Sequence, residues 1–576
     1  MASLNWKIGG KAGEGIAVTS FLMSKICQRA GLQVFEYSEY PSLIRGGHTS
    51  GQVKAGDAVS CQQKHVDLIV VMNEDTVRLH LDEFDEHTKL LVDTQDDKID
   101  FTKYPSIKPE QLVAVPMVQI SREQTGKSLA SNMVALAVTC YLFGLDHSVL
   151  QQVISDFFKK KGQTVIDENV KAADAGLKFS QENLQIPNSK FQNPTASKTL
   201  FWTGAEAIGF GALSAGVQYY SAYPMTPTSN LMHFMAAAQA KFPVVVKHAE
   251  DEISAINGAL GASFSGVRSM TGTAGGGFAL MVEGVSLAGV TELPLVAVVG
   301  GRPGPATGLP TWTSQTDLQY VIHAGHGEFP KVVFTPGNLE ESFKITHLAF
   351  LLAEKYHTQC YIISDKLLLE SRMTVDASVI PTEFTNTRLS MAQDPLPEDN
   401  SFRRFIDTPE GYSPRSVPGQ AHGLQLTNSY EHDEYGYATE DALMTKKMVE
   451  KRMRKLDGII KEVPAPIVVG PAEAEITFVC WGSTRLVLEE VLRQVNQNGA
   501  TRANFIHIMT AMPFHKDVFA ALAGKAKKLV MVEENIGRQG ELLIREQTGI
   551  TFEHRINRYD GRPFYAEDIV KELENL

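Results

Sequence analysis

The stretch from 218 to 229 reads QYYSAYPMTPTS and decides the fold class. An apolar strand is predicted at 218–222, and a helix is predicted to begin at Ser229. The two prolines restrict the backbone around Thr226, and Ser229 can cap the helix that follows. The Thr226 hydroxyl would then lie at the carboxyl end of a strand, where open α/β sheets bind ligands. A plain helix start is the alternative interpretation.

Strands and helices alternate on both sides of this stretch. Near the amino terminus, a strand at 4–8 precedes a glycine-rich loop and a helix at 16–30. Near the carboxyl terminus, strands at 476–480 and 503–507 are again separated by longer segments. This alternation predicts a multi-domain α/β protein with doubly wound, mainly parallel sheets. The predicted parts are residues 1–180, a polar linker at 181–197, residues 198–375, an extended segment at 376–465, and residues 466–576.

The composition excludes several classes of protein. Of 576 residues, 43% are hydrophobic and 21% are charged, and the net charge is −12. This acidic balance argues against nucleic acid as a partner, and no apolar run approaches the roughly 20 residues that a membrane span needs. The five cysteines are scattered and odd in number, which argues against a disulfide framework and against a metal or iron–sulfur site on this chain. We therefore expect a cytoplasmic protein.

Three neighbouring acids, Glu250, Asp251 and Glu252, stand where a helix is predicted to begin. Acids at this position complement the helix dipole, which is one sufficient explanation for them. The helix itself, predicted at 252–265, is rich in small and apolar residues between 253 and 262 and is typical of a buried helix. The other interpretation therefore places at least one of these acids in an interface.

Two further segments of the central part are candidates for ligand contact. The run at 271–277 reads TGTAGGG, and its glycines permit close approach by a ligand or by another chain. Arg302 directly follows a strongly apolar strand predicted at 295–299. An arginine held at the end of a strand is well suited to binding a carboxylate.

The amino-terminal part contains two candidate anion sites. The loop at 9–15 reads GGKAGEG and lies between a strand and a helix, where backbone N–H groups can hold a phosphate. A tight turn is the equally acceptable interpretation, because the loop matches neither the dinucleotide motif nor the P-loop motif. Arg45 lies in a second glycine-containing loop, where it is either a phosphate ligand or a solvated side chain.

Taken in order, these segments resemble the α subunit of the 2-oxoacid:ferredoxin oxidoreductases, with the γ-type domain fused at the amino terminus. The resemblance covers nearly the whole chain, and the last part resembles a transketolase carboxyl-terminal domain. The role of the similar-looking segment at 431–436 is not defined by the resemblance. The matching segments are Tyr223–Pro227 against Y-P-I-T-P with Met225 at the third place, Arg302–Gly308 against R-G-G-P-S-T-G, Arg45–His48 against the γ-domain R-G-G, and Glu252 ahead of Gly258–Ala262.

This resemblance implies an enzyme that decarboxylates a 2-oxoacid with thiamine diphosphate. It passes the acyl group to CoA as co-substrate and two electrons to ferredoxin. Glu252 would be catalytic, as the carboxylate that hydrogen-bonds the aminopyrimidine ring of the cofactor and shares its proton. The other residues that the resemblance assigns are Thr226 and Arg302 for the substrate, Tyr223 and Pro224 beside the cofactor, and Gly13, Gly15 and Arg45 for CoA.

Two missing motifs imply a partner. The sequence has no Gly-Asp-Gly motif of the kind that binds diphosphate and Mg, and no cysteine cluster able to hold a [4Fe–4S] centre. The resemblance therefore implies a β subunit that supplies the Mg ion, the diphosphate cradle and the cluster. It also implies assembly as (αβ)2.

The sequence leaves the substrate open. The fused γ–α organisation resembles the 2-oxoglutarate branch, which makes succinyl-CoA in a reversible reaction, whereas pyruvate and branched-chain 2-oxoacids are alternatives. Two other classes of protein also remain: the pyrimidine-binding half of an E1-type 2-oxoacid dehydrogenase, and a non-catalytic nucleotide-binding scaffold.

Overall fold

The computed structural model describes most of the chain and divides it into two compact units. The first unit comprises Met1–Trp202, Ser371–Val379 and Tyr565–Asp568, and the second comprises Thr203–Glu370, Ile380–Phe564 and Ile569–Leu576. The described residues are 3–42, 46–94, 99–185, 199–380, 391–392, 396, 398, 401–498 and 502–573.

Strands occur in three sections of the described chain, as the alternating pattern predicts. They are β1 (Ser3–Lys11), β2 (Gln33–Glu39), β3 (His48–Gly56), β4 (Leu68–Val71), β5 (Lys89–Asp93), β6 (Leu112–Val115), β7 (Thr199–Thr203), β8 (Tyr219–Ala222), β9 (Val245–His248), β10 (Ser269–Ala274), β11 (Leu295–Gly301), β12 (Lys331–Phe334), β13 (Gln359–Asp365), β14 (Arg372–Asp376), β15 (Ile467–Val469), β16 (Ile476–Trp481), β17 (Ala503–Ile508), β18 (Thr510–Met512), β19 (Leu529–Glu533) and β20 (His554–Asn557).

Helices separate most of these strands. They are α1 (Ile16–Arg29), α2 (Glu74–His80), α3 (Met117–Thr125), α4 (Ser131–Phe143), α5 (His147–Phe158), α6 (Gln163–Asn183), α7 (Gly204–Ser214), α8 (Ser229–Ala238), α9 (Glu252–Phe264), α10 (Gly275–Val290), α11 (Leu318–His323), α12 (Leu339–Tyr356), α13 (Lys366–Glu370), α14 (Ala442–Ile459), α15 (Thr484–Asn498), α16 (Lys516–Ala523), α17 (Gln539–Thr548) and α18 (Ala566–Glu572).

The first unit is built on an eight-stranded sheet in the order β6-β5-β4-β1-β3-β2-β14-β7. The strands β1, β4, β5 and β6 are parallel, whereas β3 is antiparallel to both β1 and β2. Strand β3 has no counterpart in the predicted elements, because its sequence HTSGQVKAG carries glycines and polar side chains instead of an apolar run. Its residues from Ser50 to Gly56 are nevertheless buried, since strands cover it on both sides.

The predicted linker at 181–197 overlaps the end of a long helix. Helix α6 continues to Asn183, and its inner face, which includes Ala172, Ala173 and Gly176, is buried. Residues 186–198 lie outside the described part of the chain. The boundaries proposed for this linker and for the domains therefore stay a prediction.

The second unit contains a seven-stranded sheet in the order β18-β12-β13-β11-β10-β8-β9. All recorded pairs in it are parallel except the pair between β18 and β12. Alternate residues of β11 face opposite layers, as a period of two requires. Ala297 and Val299 pack with α9, α10 and α11, whereas Val296 and Val298 pack with α7, α8 and α12. The sheet is therefore doubly wound, which confirms the predicted fold class.

The carboxyl-terminal section forms a five-stranded sheet in the order β15-β17-β16-β19-β20. Its strands are parallel apart from β15, which is antiparallel to β17. The section also supplies β18, the edge strand of the seven-stranded sheet. The two sheets of this unit are thus joined by a shared segment and by one common apolar core.

The described portion of the extended segment packs on the central sheet layer through buried charges. Glu292, two residues after α10, receives hydrogen bonds from Lys451 of α14 at 2.7 and 3.0 Å and is ion-paired with Lys455 at 2.6 Å. Arg404 donates to the carbonyl oxygen of Glu292 at 2.8 Å. These cations hold the pKa of Glu292 well below its usual range despite its burial. Removing one partner would leave an uncompensated buried charge, so the segment is held firmly.

A membrane span finds no support among the helices described here. None of them combines a length of at least 18 residues with sufficient apolar character.

Candidate functional site

The residues that directly follow three parallel strands lie at one edge of the seven-stranded sheet. Strand β10 is parallel to both β8 and β11. The stretch at 223–227 follows β8, helix α10 follows β10, and Arg302 follows β11. Because the carboxyl ends of parallel strands share an edge, the sequence candidates of the central part come together there.

Glu252 is the first residue of α9, and its carboxyl group is buried. The side chain of Asp251 caps this helix by accepting a hydrogen bond from the Ser254 N–H at 2.7 Å. Glu252 is 2% exposed, and its Oε1 atom has no hydrogen-bond partner among the described residues. A buried hydrogen-bond acceptor without a partner costs free energy. The unpaired Oε1 atom therefore indicates a ligand that donates a hydrogen bond to it.

The first turn of α10 explains where this carboxyl group lies. A Cβ atom built on Gly277 would overlap both Oε1 of Glu252 and Oγ1 of Thr273. The Thr273 hydroxyl in turn lies 3.9 Å from the sulfur of Met225, in the stretch that follows β8. The glycine therefore lets the carboxyl group approach the helix backbone and links it to the 223–227 stretch.

Thr226 and Arg302 are in direct contact. Nη1 of Arg302 donates a hydrogen bond to the carbonyl oxygen of Thr226 at 2.8 Å. Within the described part of the chain the guanidinium donates no other hydrogen bond, so its remaining N–H groups can bind a ligand. Burial lowers the pKa of Arg302, although arginine stays charged at neutral pH. The sequence thus predicted a pair of residues that the fold brings together.

Asp317 is a member of the site that the sequence analysis missed. Its carboxylate lies against the first residue of α10, because a Cβ atom on Gly275 would be 2.6 Å from Oδ1. Burial raises the pKa of Asp317 to about 6, and the charge of Arg302 partly opposes this. No motif marks this aspartate, which stands in a polar stretch just before the short helix α11.

Tyr223 and Pro224 lie at the exposed rim of the same edge. The ring of Tyr223 is 6.3 Å from that of His248 at the end of β9. Tyr223 and Pro224 are both exposed. Their contact with a cofactor stays a prediction.

The predicted CoA residues belong to the first unit. Strand β1 runs on through Gly9 and Gly10 to Lys11, further than predicted, and the loop that follows is closed by Glu14, whose carboxylate accepts from the Lys11 N–H at 2.8 Å. Gly13 and Gly15 both have positive φ, at 98° and 81°. The Ala12 N–H donates to the carbonyl oxygen of Gly47 at 3.2 Å, which joins this loop to the second glycine-containing segment. Arg45 lies outside the described residues.

Two buried carboxyl groups, those of Asp365 and Glu534, form hydrogen bonds between the central part of the second unit and its carboxyl-terminal section. Ser483 donates to Oδ2 of Asp365 at 2.5 Å, and Thr313 donates to Oε2 of Glu534 at 3.4 Å. Burial and the charge of Asp365 raise the pKa of Glu534 to about 8, and burial raises the pKa of Asp365. The pair therefore holds a proton at neutral pH.

We predict that Glu534→Gln reduces the pH dependence of thermal stability. The folded chain holds a proton on Glu534 that the unfolded chain releases, so stability is lost as pH rises from about 4.5 towards about 8. Glutamine cannot ionise, and the variant should melt about 2–5 °C above the wild type at pH 8.5. Differential scanning calorimetry from pH 5.5 to 9 measures this, with exposed Glu553→Gln as the control. Parallel melting curves for Glu534→Gln and the wild type would contradict the assignment.

The structure offers no metal-ligand cluster within the residues it describes. No group of three or more His, Cys, Asp or Glu side chains converges there. All five cysteines are free and buried.

Family comparisons match both units of this chain. Residues 210–453 match the family described as pyruvate flavodoxin/ferredoxin oxidoreductase, thiamine diphosphate-binding. Residues 5–179 match the pyruvate ferredoxin/flavodoxin oxidoreductase family. The site residues in the second unit therefore fall within a region typical of thiamine diphosphate-binding oxidoreductases.

Two of three similar proteins cover nearly the whole chain, and the third covers 59% of it. The 2-oxoacid:ferredoxin oxidoreductase subunit alpha of Sulfolobus sp is 30% identical over 99% of this chain and 96% of the relative. The 2-oxoglutarate synthase subunit KorA of Methanocaldococcus jannaschii is 31% identical over 59% of this chain and 90% of the relative. A solved structure of 2-oxoglutarate:ferredoxin oxidoreductase from Magnetococcus marinus, with 2-oxoglutarate, coenzyme A and succinyl-CoA bound, matches with a TM-score of 0.91 at 28% identity, covering 100% of this chain and 99% of that chain.

The fold and the site thus define a subunit of a thiamine diphosphate-binding oxidoreductase. The chain belongs to the alpha subunits of the 2-oxoacid:ferredoxin oxidoreductases. This confirms the predicted family, and it argues against the E1-type dehydrogenase and the non-catalytic scaffold.

Proposed function

We propose that this chain is the alpha subunit of a CoA-acylating oxidoreductase for 2-oxoglutarate. The overall reaction converts 2-oxoglutarate, CoA and oxidised ferredoxin into succinyl-CoA, CO2 and reduced ferredoxin, and it is reversible. The names of the KorA relatives and of the Magnetococcus marinus structure support 2-oxoglutarate as the substrate. Pyruvate and branched-chain 2-oxoacids are the alternative substrates, and the assay below compares them with 2-oxoglutarate.

The observation that carries the proposal is the unpartnered carboxyl oxygen of Glu252. It is buried, it faces the glycine-rich first turn of α10, and the described residues give it no partner. A ring nitrogen of an aminopyrimidine would complete it by a hydrogen bond. The residues present therefore fit the pyrimidine end of thiamine diphosphate.

The side chains around this position have distinct roles in the proposed reaction. When bound, thiamine diphosphate supplies the carbon nucleophile for the 2-oxo group and accepts the electron pair released by decarboxylation. Glu252 holds and exchanges a proton at its buried Oε1 atom. Arg302 binds the substrate carboxylate through its remaining N–H groups. Thr226 orients the substrate in two ways: its carbonyl oxygen accepts the hydrogen bond that holds Arg302, and its hydroxyl contacts the substrate.

We also propose that a β subunit covers this edge. Three large apolar side chains are exposed near the site, with exposed fractions from 38% to 50%. Exposed apolar side chains that lie close together are typical of a protein interface. They are Tyr223, Ile253 and Leu280.

The partner would supply what the described part of this chain lacks. A [4Fe–4S] cluster needs four cysteine ligands, whereas the cysteines here are separately buried. We therefore assign the cluster, the Mg ion and the diphosphate cradle to the β subunit, with ferredoxin as electron acceptor and (αβ)2 as the assembly. The free cysteines agree with a cytoplasmic location.

CoA binding is proposed for the first unit. Gly13 and Gly15 lie in the loop that is hydrogen-bonded to Gly47, and Arg45 precedes this glycine in the sequence. A phosphate here would have to displace the carboxylate of Glu14 from the Lys11 N–H. The site is therefore expected to open when CoA binds.

The test is an assay of the complex purified with its neighbouring subunit. Methyl viologen reduction is measured with CoA and, in turn, 2-oxoglutarate, pyruvate and branched-chain 2-oxoacids. We expect CoA-dependent reduction, with the highest kcat/KM when the substrate is 2-oxoglutarate. A preference for another 2-oxoacid would overturn the substrate assignment, and no reduction with any of them would overturn the proposed function.

A further inference from the structure

Asp317 stands at the same helix end as Glu252 but has no role in the reaction described above. Its carboxylate touches Gly275 in the first turn of α10, whereas that of Glu252 touches Gly277. A Cβ atom on Gly275 would be 2.6 and 2.7 Å from the two carboxylate oxygens of Asp317. The two acids therefore flank one helix amino terminus, which favours negative charge.

The carboxylate of Asp317 forms no hydrogen bond with the other described residues. It does not cap α11 either, although Asp317 directly precedes that helix. Arg302 acts on it electrostatically, yet no ion pair within 4.0 Å joins the two groups. Arg302 is instead held by the carbonyl oxygen of Thr226 at 2.8 Å. The guanidinium and the carboxylate are thus close enough to interact electrostatically, although no ion pair joins them.

Few other titratable groups surround this carboxylate. Arg302 approaches from the end of β11, and the Tyr320 phenol approaches from α11. Helix α10 contributes its backbone at Gly275 and no charged side chain in its first turn. Burial raises the pKa of Asp317 to about 6, so the group changes charge close to neutral pH.

A bound 2-oxoacid changes the charge balance of this site. Its carboxylate on Arg302 would add a negative charge beside Asp317, and two carboxylates on one cation repel each other in a partly buried site. A proton on Asp317 removes this repulsion. The proton comes from solvent and forms an O–H bond on the aspartate, while the bound 2-oxoacid stays ionised.

We propose that Asp317 takes up one proton when the carboxylate of a 2-oxoacid binds Arg302, and that it thereby sets the substrate affinity and its dependence on pH. This inference rests on the proposed function. Asp317 is a positioning residue in this account, because it acts on the substrate through the charge beside Arg302.

The first experiment measures the KM of the assembled complex at several pH values, with 2-oxoglutarate as the substrate. In the wild type we expect KM to rise about tenfold or more between pH 6.5 and 8.5, since the protonated form binds the substrate better. In Asp317→Asn, KM should be low and nearly constant over this range, whereas any change in kcat should be the same at each pH. Glu340→Gln, an exposed change on α12, is the charge-matched control and should keep the wild-type profile.

The second experiment does not depend on turnover. Titration calorimetry of 2-oxoglutarate into the thiamine-free complex, in buffers of different ionisation enthalpy, counts the protons taken up. At pH 7.5 we expect about one proton per site in the wild type and none in Asp317→Asn. If Asp317→Asn does not assemble, Asp317→Ser serves as the second variant, with the same two expectations.

The outcomes separate this inference from the proposed function. If the wild-type complex neither binds nor oxidises any 2-oxoacid, the proposed function is wrong, and the inference falls with it. If the wild type is active and the variants keep its KM profile and its proton uptake, the inference alone is overturned.

Discussion

Glu252→Gln should slow the turnover of the assembled complex, followed as viologen reduction with a saturating 2-oxoacid, by about 10³-fold. The substitution keeps the shape of the side chain, and the amide can still form a hydrogen bond with a ring nitrogen. It removes the ability of the buried Oε1 atom to exchange a proton, and a positioned acid–base group contributes about 10²–10⁴-fold to a rate. Steady-state kinetics with CoA and saturating thiamine diphosphate measure this effect.

The control for this prediction is Glu250→Gln, two residues earlier in the chain. Glu250 is exposed, whereas Glu252 is 2% exposed. The control should retain most of the activity, and both variants should assemble and melt like the wild type. A Glu252→Gln complex with more than about a tenth of the wild-type rate would remove Glu252 from its catalytic role.

The second large effect is expected from a single added methyl group. Gly277→Ala places a Cβ atom where Oε1 of Glu252 and Oγ1 of Thr273 lie. The carboxyl group must move, or the first turn of α10 must shift, because a packed interior does not absorb such an overlap. We expect weaker binding of thiamine diphosphate and a loss of activity of about 100-fold, since a displacement near 1 Å at a reacting group costs this much.

Gly261→Ala in α9 is the matched control. A Cβ atom on Gly261 meets no atom within 4 Å, and alanine favours the helix by about 1 kcal/mol over glycine. This variant should keep its activity and its affinity for the cofactor, measured by titrating thiamine diphosphate into the stripped complex. Wild-type cofactor affinity in Gly277→Ala would show that the contact between Glu252 and the helix end has no role in binding.

The sequence predicted the parts of the fold whose patterns are local. The strand at 218–222 followed by two prolines gave the correct position for Thr226, because a proline-restricted turn after an apolar strand has few conformations. The small residues of α9 indicated that at least one of the three acids at its start lies in an interface, since a helix of this composition packs on its neighbours. In the structure Glu252 is the buried one. The contact between Arg302 and Thr226 follows from the common edge of parallel strands.

Other features of the fold and of the site could not be predicted from the local sequence. Strand β3 lacks an apolar run and becomes a central strand only because neighbours pair with both of its sides. Asp317 lacks any motif, and its importance arises from contact with Gly275, which is 42 positions earlier in the chain. The buried pair of Asp365 and Glu534 likewise depends on a tertiary contact between distant segments. Such contacts carry no periodic signal in the sequence.

The proposed function depends on binding of the aminopyrimidine ring of thiamine diphosphate by the Glu252 carboxyl group. The most direct measurement is an experimental structure of the complex of this chain with its β subunit and the cofactor. We expect Oε1 of Glu252 to lie within hydrogen-bond distance, about 2.6–3.0 Å, of a nitrogen of that ring, with the first turn of α10 beside it. A Glu252 side chain directed into solvent, or thiamine diphosphate bound away from Gly277, would contradict it.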